Sequence, residues 1–171
     1  THDRLPTFRR AIALFKRMKA EAVFHAGDYV APFAAELLAP QELPMRLHCV
    51  YGNNDGERKG LKSILPGVVE GPLHITLGGR RVVMHHWIES LSTTEVQSAD
   101  VVITGHTHEV VNEQRDGIFY LNPGECCGWL TDRCTIAVLD LVEVKAEIWE
   151  AVDQSDNVIS LMSCPGADVA E

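Results

Sequence analysis

Short apolar runs rich in β-branched and aromatic residues recur along the first two-thirds of the chain, and each ends in a polar cluster. Ala22-Val23-Phe24-His25 leads into Gly27-Asp28, and Leu47-His48-Cys49-Val50-Tyr51 into Gly52-Asn53-Asn54-Asp55. Arg81-Val82-Val83-Met84 leads into His85-His86, and Val101-Val102-Ile103-Thr104 into Gly105-His106-Thr107-His108. Runs of this length and composition predict strands. Between them the period changes. Leu5, Phe8, Ile12, Phe15 and Met18 recur at helical spacing. They predict an amphipathic helix with Arg9, Arg10, Lys16, Arg17 and Lys19 mostly on the wet face and Pro6 in the first turn. Further helices are predicted over residues 32–38, stopped by Pro40, over 57–65, ended before Pro66, and over 90–97, with Ser90 or Ser92 as cap.

After Gly105 the long helices disappear from the pattern. Residues 110–114, 118–121, 134–141 and 144–149 read as strands, with Asp116-Gly117 as a hairpin turn. Gly78-Gly79 is a second such turn, between residues 73–77 and 81–84. A βαβ half followed by an antiparallel half predicts an α/β protein with mixed sheets. The 171 residues are read as one domain. Its last part, 153–171, is polar and rich in small residues, and reads as a loose tail or an edge addition.

Composition narrows the function classes. Hydrophobic residues make up 46% of the chain, enough for a true core. The net charge of −9 is spread along the sequence and argues against a basic nucleic-acid stripe. No apolar stretch reaches the length of a membrane span. Cys49, Cys126, Cys127, Cys134 and Cys164 are odd in number and irregular in spacing, so they read as thiols in a cytoplasmic protein and not as a disulfide framework. Cys126-Cys127 has no CxxC spacing and receives no metal or redox role.

Four strands thus deliver His, Asp or Asn at their C-terminal ends, the edge where open α/β sheets bind ligands. Imidazole nitrogens together with carboxylate and amide oxygens suit a divalent cation. In order and spacing, Thr1-His2, Gly27-Asp28, Gly52-Asn53-Asn54-Asp55, His85 and Gly105-His106-Thr107-His108 resemble the calcineurin-like metallophosphoesterases, in particular their small single-domain phosphodiesterase branch. Asn122-Pro123-Gly124 resembles that branch too. The resemblance implies two mixed β-sheets packed face to face, with helices on the outer faces. It places an aspartate and a first strand immediately before Thr1, so the sequence is expected to be a fragment with a gap in its sheet.

The same resemblance implies a site. His2, Asp28, Asn53, His85, His106 and His108 would bind two divalent ions. Asp28 would bridge the ions, Asn53 and His106 would bind the second, and His2 and His108 the first. Mn²⁺ is favoured, with Fe, Co, Ni and Zn as alternatives. Asp28, Asn53, His106 and His86 are the expected catalytic group. His86 replaces a glycine of the family pattern and reads as a substrate-facing acid–base residue or a surface imidazole. Asn54 stands where larger relatives carry a histidine and cannot act as an acid. Asp55 would orient its loop, and Asn122 would support the site by hydrogen bonds. His25, His48 and His74 read as structural or surface residues.

The implied activity is a phosphodiesterase hydrolysing a small phosphate diester by attack of a metal-bridging hydroxide. The alternative is a scaffold of the same fold that binds partner proteins. A nuclease fits the acidic composition less well, a membrane partner is not expected, and a homo-oligomer remains compatible with the sequence.

Overall fold

The computed structural model describes residues 1–151 and the backbone of Ile159–Ser163. Helices are α1 (Leu5–Arg17), α2 (Pro32–Ala35), α3 (Arg58–Ile64) and α4 (Thr93–Gln97). Strands are β1 (Ala22–His25), β2 (Arg46–Cys49), β3 (Leu73–Leu77), β4 (Arg80–Met84), β5 (Val101–Ile103), β6 (Val110–Arg115), β7 (Ile118–Pro123), β8 (Thr135–Asp140), β9 (Lys145–Glu150) and β10 (Ile159–Ser163). The predicted helix over 32–38 divides into α2 and a 3-10 turn, Glu36–Leu38. The fourth helix is capped by Ser92, not Ser90. Its hydroxyl accepts the Glu95 N–H while the Glu95 carboxylate accepts the Ser92 N–H at 2.7 Å. Both predicted hairpin turns form, with Gly78, Gly79, Asp116 and Gly117 all at positive φ.

Five strands make one mixed sheet in the order β3-β4-β5-β7-β6. Within it β4, β5 and β7 run parallel, while β3 and β6 form antiparallel hairpins at the two edges. A second layer contains the parallel pair β1-β2 and the antiparallel set β10-β9-β8. The layers meet over Val50, Val82, Met84, Val101, Ile103, Phe119, Leu121, Ala146 and Ile148, with Phe24 and Leu139 packed alongside. Helices cover the outside. Phe8 and Ile12 of α1 join Leu38, Leu61 and Leu65 over β1 and β2, while Ala11 and Leu14 of the same helix lie on Ile136. On the opposite face Val83 and Val102 pack under Ala99 and Val96. This is the expected αββα layering.

Among the described strands, β1 pairs with β2 alone and β8 with β9 alone. Both β1 and β8 line one cavity of about 680 Å³ that runs to Thr1 and Asp28. Helix α1 packs against both strands, so they belong to one layer interrupted at this cavity. Of the predicted tail, residues 153–158 and 164–171, Cys164 among them, lie outside the described residues, as does residue 152 before it; Ile159–Ser163 adds at the sheet edge, antiparallel to β9. Among the described residues no helix is long and apolar enough to cross a membrane.

Candidate metal centre

Strands β1 and β2 are parallel, as are β4, β5 and β7, so their C-terminal ends gather polar residues at one edge. The loops after β1 and β2 touch first. Gly27 has φ 99°, and a Cβ there would lie 2.5 Å from Gly52 N. A Cβ on Gly52 would lie 2.1 Å from Asp28 Oδ1. Only two glycines allow this approach. Asp55, buried to 2% exposure, locks the loops together. Its Oδ2 accepts the N–H groups of Asp28 at 2.9 Å and Gly52 at 2.7 Å, and its Oδ1 accepts that of Val30 at 2.8 Å. Asp55 therefore orients the motif loop and does not reach toward a substrate.

Asp28 is also buried. Its Oδ1 accepts Asn54 N–H at 2.9 Å, and its Oδ2 accepts the Asn54 amide at 3.0 Å. Burial alone would raise its carboxyl, but these bonds and the neighbouring imidazoles outweigh that and hold it below the usual aspartate range. Asp28 Oδ2 then lies between two groups of side chains. It is 3.3 Å from His2 Nε2 on one side and 3.5 Å from His86 Nε2 on the other. On the first side His2 Nε2 is 3.2 Å from His108 Nε2, and His2, Asp28 and His108 offer ligand atoms within 4.8 Å of one another. On the second side Asn53 Oδ1 is 2.9 Å from His86 Nε2 and 3.0 Å from His106 Nδ1.

The tautomers make this packing informative. His86 Nδ1 donates to Ala26 O at 2.6 Å, so in the neutral ring its Nε2 carries a lone pair aimed at Asn53 Oδ1. His108 Nδ1 donates to Glu125 Oε2 at 2.7 Å, which leaves its Nε2 lone pair facing His2. Burial pushes His86 and His2 below the ordinary histidine value, against the opposing pull of the Asp28 carboxylate. Two acceptors that face one another, His86 Nε2 and Asn53 Oδ1, repel unless a cation lies between them. Asp28, His106 and His108 also sit at φ 60°, 67° and 62°, a region that costs a non-glycine residue of order 1–3 kcal/mol. The donor set therefore fits divalent cations. Asn53 and His106 are solvent-exposed, which leaves this face of the group open.

His85 is not brought into the group. Its Nδ1 accepts the Trp87 N–H at 3.0 Å, and its ring lies against Gly71. Strand parity is the reason. Val82 and Met84 face the layer between the sheets, and so does His86; Val83 faces the outer helix, and so does His85. The histidine after β4 that faces the site is thus His86. It is 2% exposed with both ring nitrogens engaged, so its surroundings do not support the expected substrate-facing acid–base role. His25 is buried and stacks on Tyr29, His48 stacks on Phe24, and exposed His74 lies 3.8 Å from Glu95. Asn122 donates to Gly105 O and Thr107 Oγ1 and accepts Gly124 N–H, bracing the loop of His106 and His108.

Sequence reasoning missed Glu125. This residue is 4% exposed and accepts from His108, Cys127, Trp129, Leu130 and Thr131. It follows Asn122-Pro123-Gly124 directly, yet nothing in the local pattern marks it.

A family model for the calcineurin-like phosphoesterase superfamily domain matches residues 1–144. The chain belongs to this superfamily. Calcineurin-like phosphoesterases use divalent metals. Phosphodiesterase MJ0936 of Methanocaldococcus jannaschii is 38% identical over 148 residues, covering 82% of this chain and 88% of the relative. A solved structure of an archaeal phosphodiesterase superposes with TM-score 0.77 at 34% identity, covering 94% of this chain and 95% of that one. Vps29 from Entamoeba histolytica, complexed with zinc, shares the fold at TM-score 0.63 and 19% identity, over 88% of each chain.

Two predictions concern the site's framework. Asp55→Ala strips one acceptor from three backbone N–H groups, and loss of about 3 kcal/mol or more is expected in urea unfolding; a change under about 1 kcal/mol would mean that Asp55 does not hold the loops. Burial raises the Glu125 carboxyl, but hydrogen bonds from Thr131, Cys127 and His108 outweigh it and lower it to about 2. A depressed carboxyl stabilises the fold above its unfolded value, near 4.5, and that contribution is lost as pH falls toward 2. The melting temperature should therefore fall more steeply between pH 4.5 and 2 in the wild type than in Glu125→Gln; parallel curves would remove Glu125 from the acid response.

Proposed function

We propose that this chain is a divalent-metal-dependent phosphodiesterase acting on a small phosphate diester. The observation that carries the reading is Asp28 Oδ2, set between His2 and His108 on one side and Asn53, His86 and His106 on the other. His2, Asp28 and His108 would hold one ion, and Asp28, Asn53, His86 and His106 the second. When bound, such ions supply a water of lowered pKa and neutralise charge on the phosphoryl oxygens. The chain's own residues supply the fixed geometry. Asn54 orients both oxygens of Asp28, Ala26 O turns His86, Glu125 turns His108, and the exposed Asn53–His106 edge admits substrate. Mixed nitrogen and oxygen ligands accept Mn²⁺, the favoured ion; Fe, Co, Ni and Zn meet the same donor set.

The net charge of −9 favours a small ester over a nucleic acid. The free thiols of Cys49, Cys126, Cys127 and Cys134 support a cytoplasmic location. The partner-binding scaffold stands as the competing reading, because Vps29 shares the fold. The convergence of four imidazoles and one amide on the Asp28 carboxylate favours catalysis.

Metal-stripped protein should hydrolyse bis(p-nitrophenyl) phosphate only after Mn²⁺ is restored. His106→Ala should lower that rate by at least about 100-fold, with its melting temperature close to that of the parent. Absence of turnover with every divalent ion tried, in folded protein, would favour the scaffold. Full activity of His106→Ala would remove this site from the reaction.

A further inference from the structure

Glu125 stands at a junction between the site and a loop that the proposed chemistry leaves unused. Its two oxygens receive six donors. Oε2 accepts His108 Nδ1 at 2.7 Å, Cys127 Sγ at 3.1 Å and Trp129 N at 3.1 Å. Oε1 accepts Leu130 N at 2.9 Å, Thr131 N at 2.5 Å and Thr131 Oγ1 at 2.7 Å. A carboxylate offers about four lone-pair directions, so this one is saturated. His108, Glu125 and Cys127 do offer ligand atoms within 4.8 Å. With no lone pair to spare, however, Glu125 is suited to orient its neighbours and not to bind an ion itself.

The consequence falls on His108. A neutral imidazole carries one proton, and the nitrogen that holds it is set by the partner of the other. In the neutral ring Glu125 accepts the Nδ1–H, which places the lone pair of Nε2 toward His2 Nε2 and Asp28. His108 also sits at φ 62°, a conformation that a non-glycine residue keeps only where its surroundings fix it. The same carboxylate holds the N–H groups of Trp129, Leu130 and Thr131, and Trp129 Nε1 returns to His2 O at 3.3 Å. Glu125 therefore touches His108 directly and reaches His2 through the loop.

We propose that Glu125 is a positioning residue. It fixes the Nδ1–H tautomer and ring direction of His108, and it holds the Glu125–Thr131 loop against His2, so that both histidines are preset for a divalent cation. The inference rests on the reading of His2 and His108 as metal ligands. A buried carboxylate behind a ligating imidazole is worth about 10–100-fold in metal affinity.

The test uses ¹⁵N-labelled, metal-free protein and Mn²⁺ binding measured by calorimetry. Long-range ¹H–¹⁵N spectra should show His108 of the wild type as the Nδ1–H tautomer; the Nε2–H form would overturn the proposal without any variant. In Glu125→Gln the His108 nitrogen shifts should move toward a mixed tautomer, and Mn²⁺ should bind about 10–100-fold more weakly. The Nε2–H form of His86, whose partner is Ala26 O, should not gain population. Unchanged His108 shifts and unchanged affinity in Glu125→Gln would defeat the positioning role while leaving the metal reading intact. Failure of the wild type to bind any divalent ion would defeat both. Should Glu125→Gln fail to fold, the wild-type tautomer still decides.

Discussion

Everything at the polar edge depends on how closely the chain after β1 approaches the chain after β2. Gly27 and Gly52 meet backbone to backbone with no room for a Cβ on either, and Asp55 accepts hydrogen bonds from both sides of the contact. That contact delivers Asp28 and Asn53 within reach of the same imidazoles. It also forces Asp28 to φ 60°, a strain the fold sustains because Asp55 and Asn54 fix its backbone and its carboxylate together. A parallel pair of strands needs no such arrangement for stability. Its cost is intelligible as the geometry of a site.

The second constraint is electrostatic. A buried carboxylate, an amide oxygen and the inward nitrogens of His86 and His108 are gathered in one place, where burial pushes His86 and His2 below the ordinary histidine value. The surrounding residues sharpen the arrangement: Ala26 O occupies His86 Nδ1, Glu125 occupies His108 Nδ1, and the opposite nitrogens are left facing inward. Framework and chemistry are thus joined in the same hydrogen bonds. The fit of the site to a cation rests on who accepts and who donates, independently of any likeness to known phosphoesterases.

Much of this was legible in the sequence because strand ends carry their polar residues in chain order. Gly27-Asp28, Gly52-Asn53 and Gly105-His106-Thr107-His108 each follow an apolar run, and the parallel topology of those runs brings them together. The choice between His85 and His86 was not legible. Strand β4 is buried on both faces, so Val82, Val83 and Met84 show no alternation from which to read parity. One step of register exchanges the two histidines. Glu125 was hidden for another reason. Its importance comes from six donors, His108 and five from a loop whose own sequence, Cys127-Gly128-Trp129-Leu130-Thr131, has no period and no recognisable turn chemistry. The cap of α4 was half legible, since Ser90 and Ser92 look alike until Glu95 is paired three residues after one of them.

The central claim is that Asp28 stands between two cation positions. Titration of metal-stripped protein with Mn²⁺, followed by electron paramagnetic resonance, addresses it most directly. The account predicts two ions per chain and, at saturation, the spectrum of a spin-coupled pair, as required if one carboxylate serves both. Binding of a single ion, or of two with independent spectra, would contradict it.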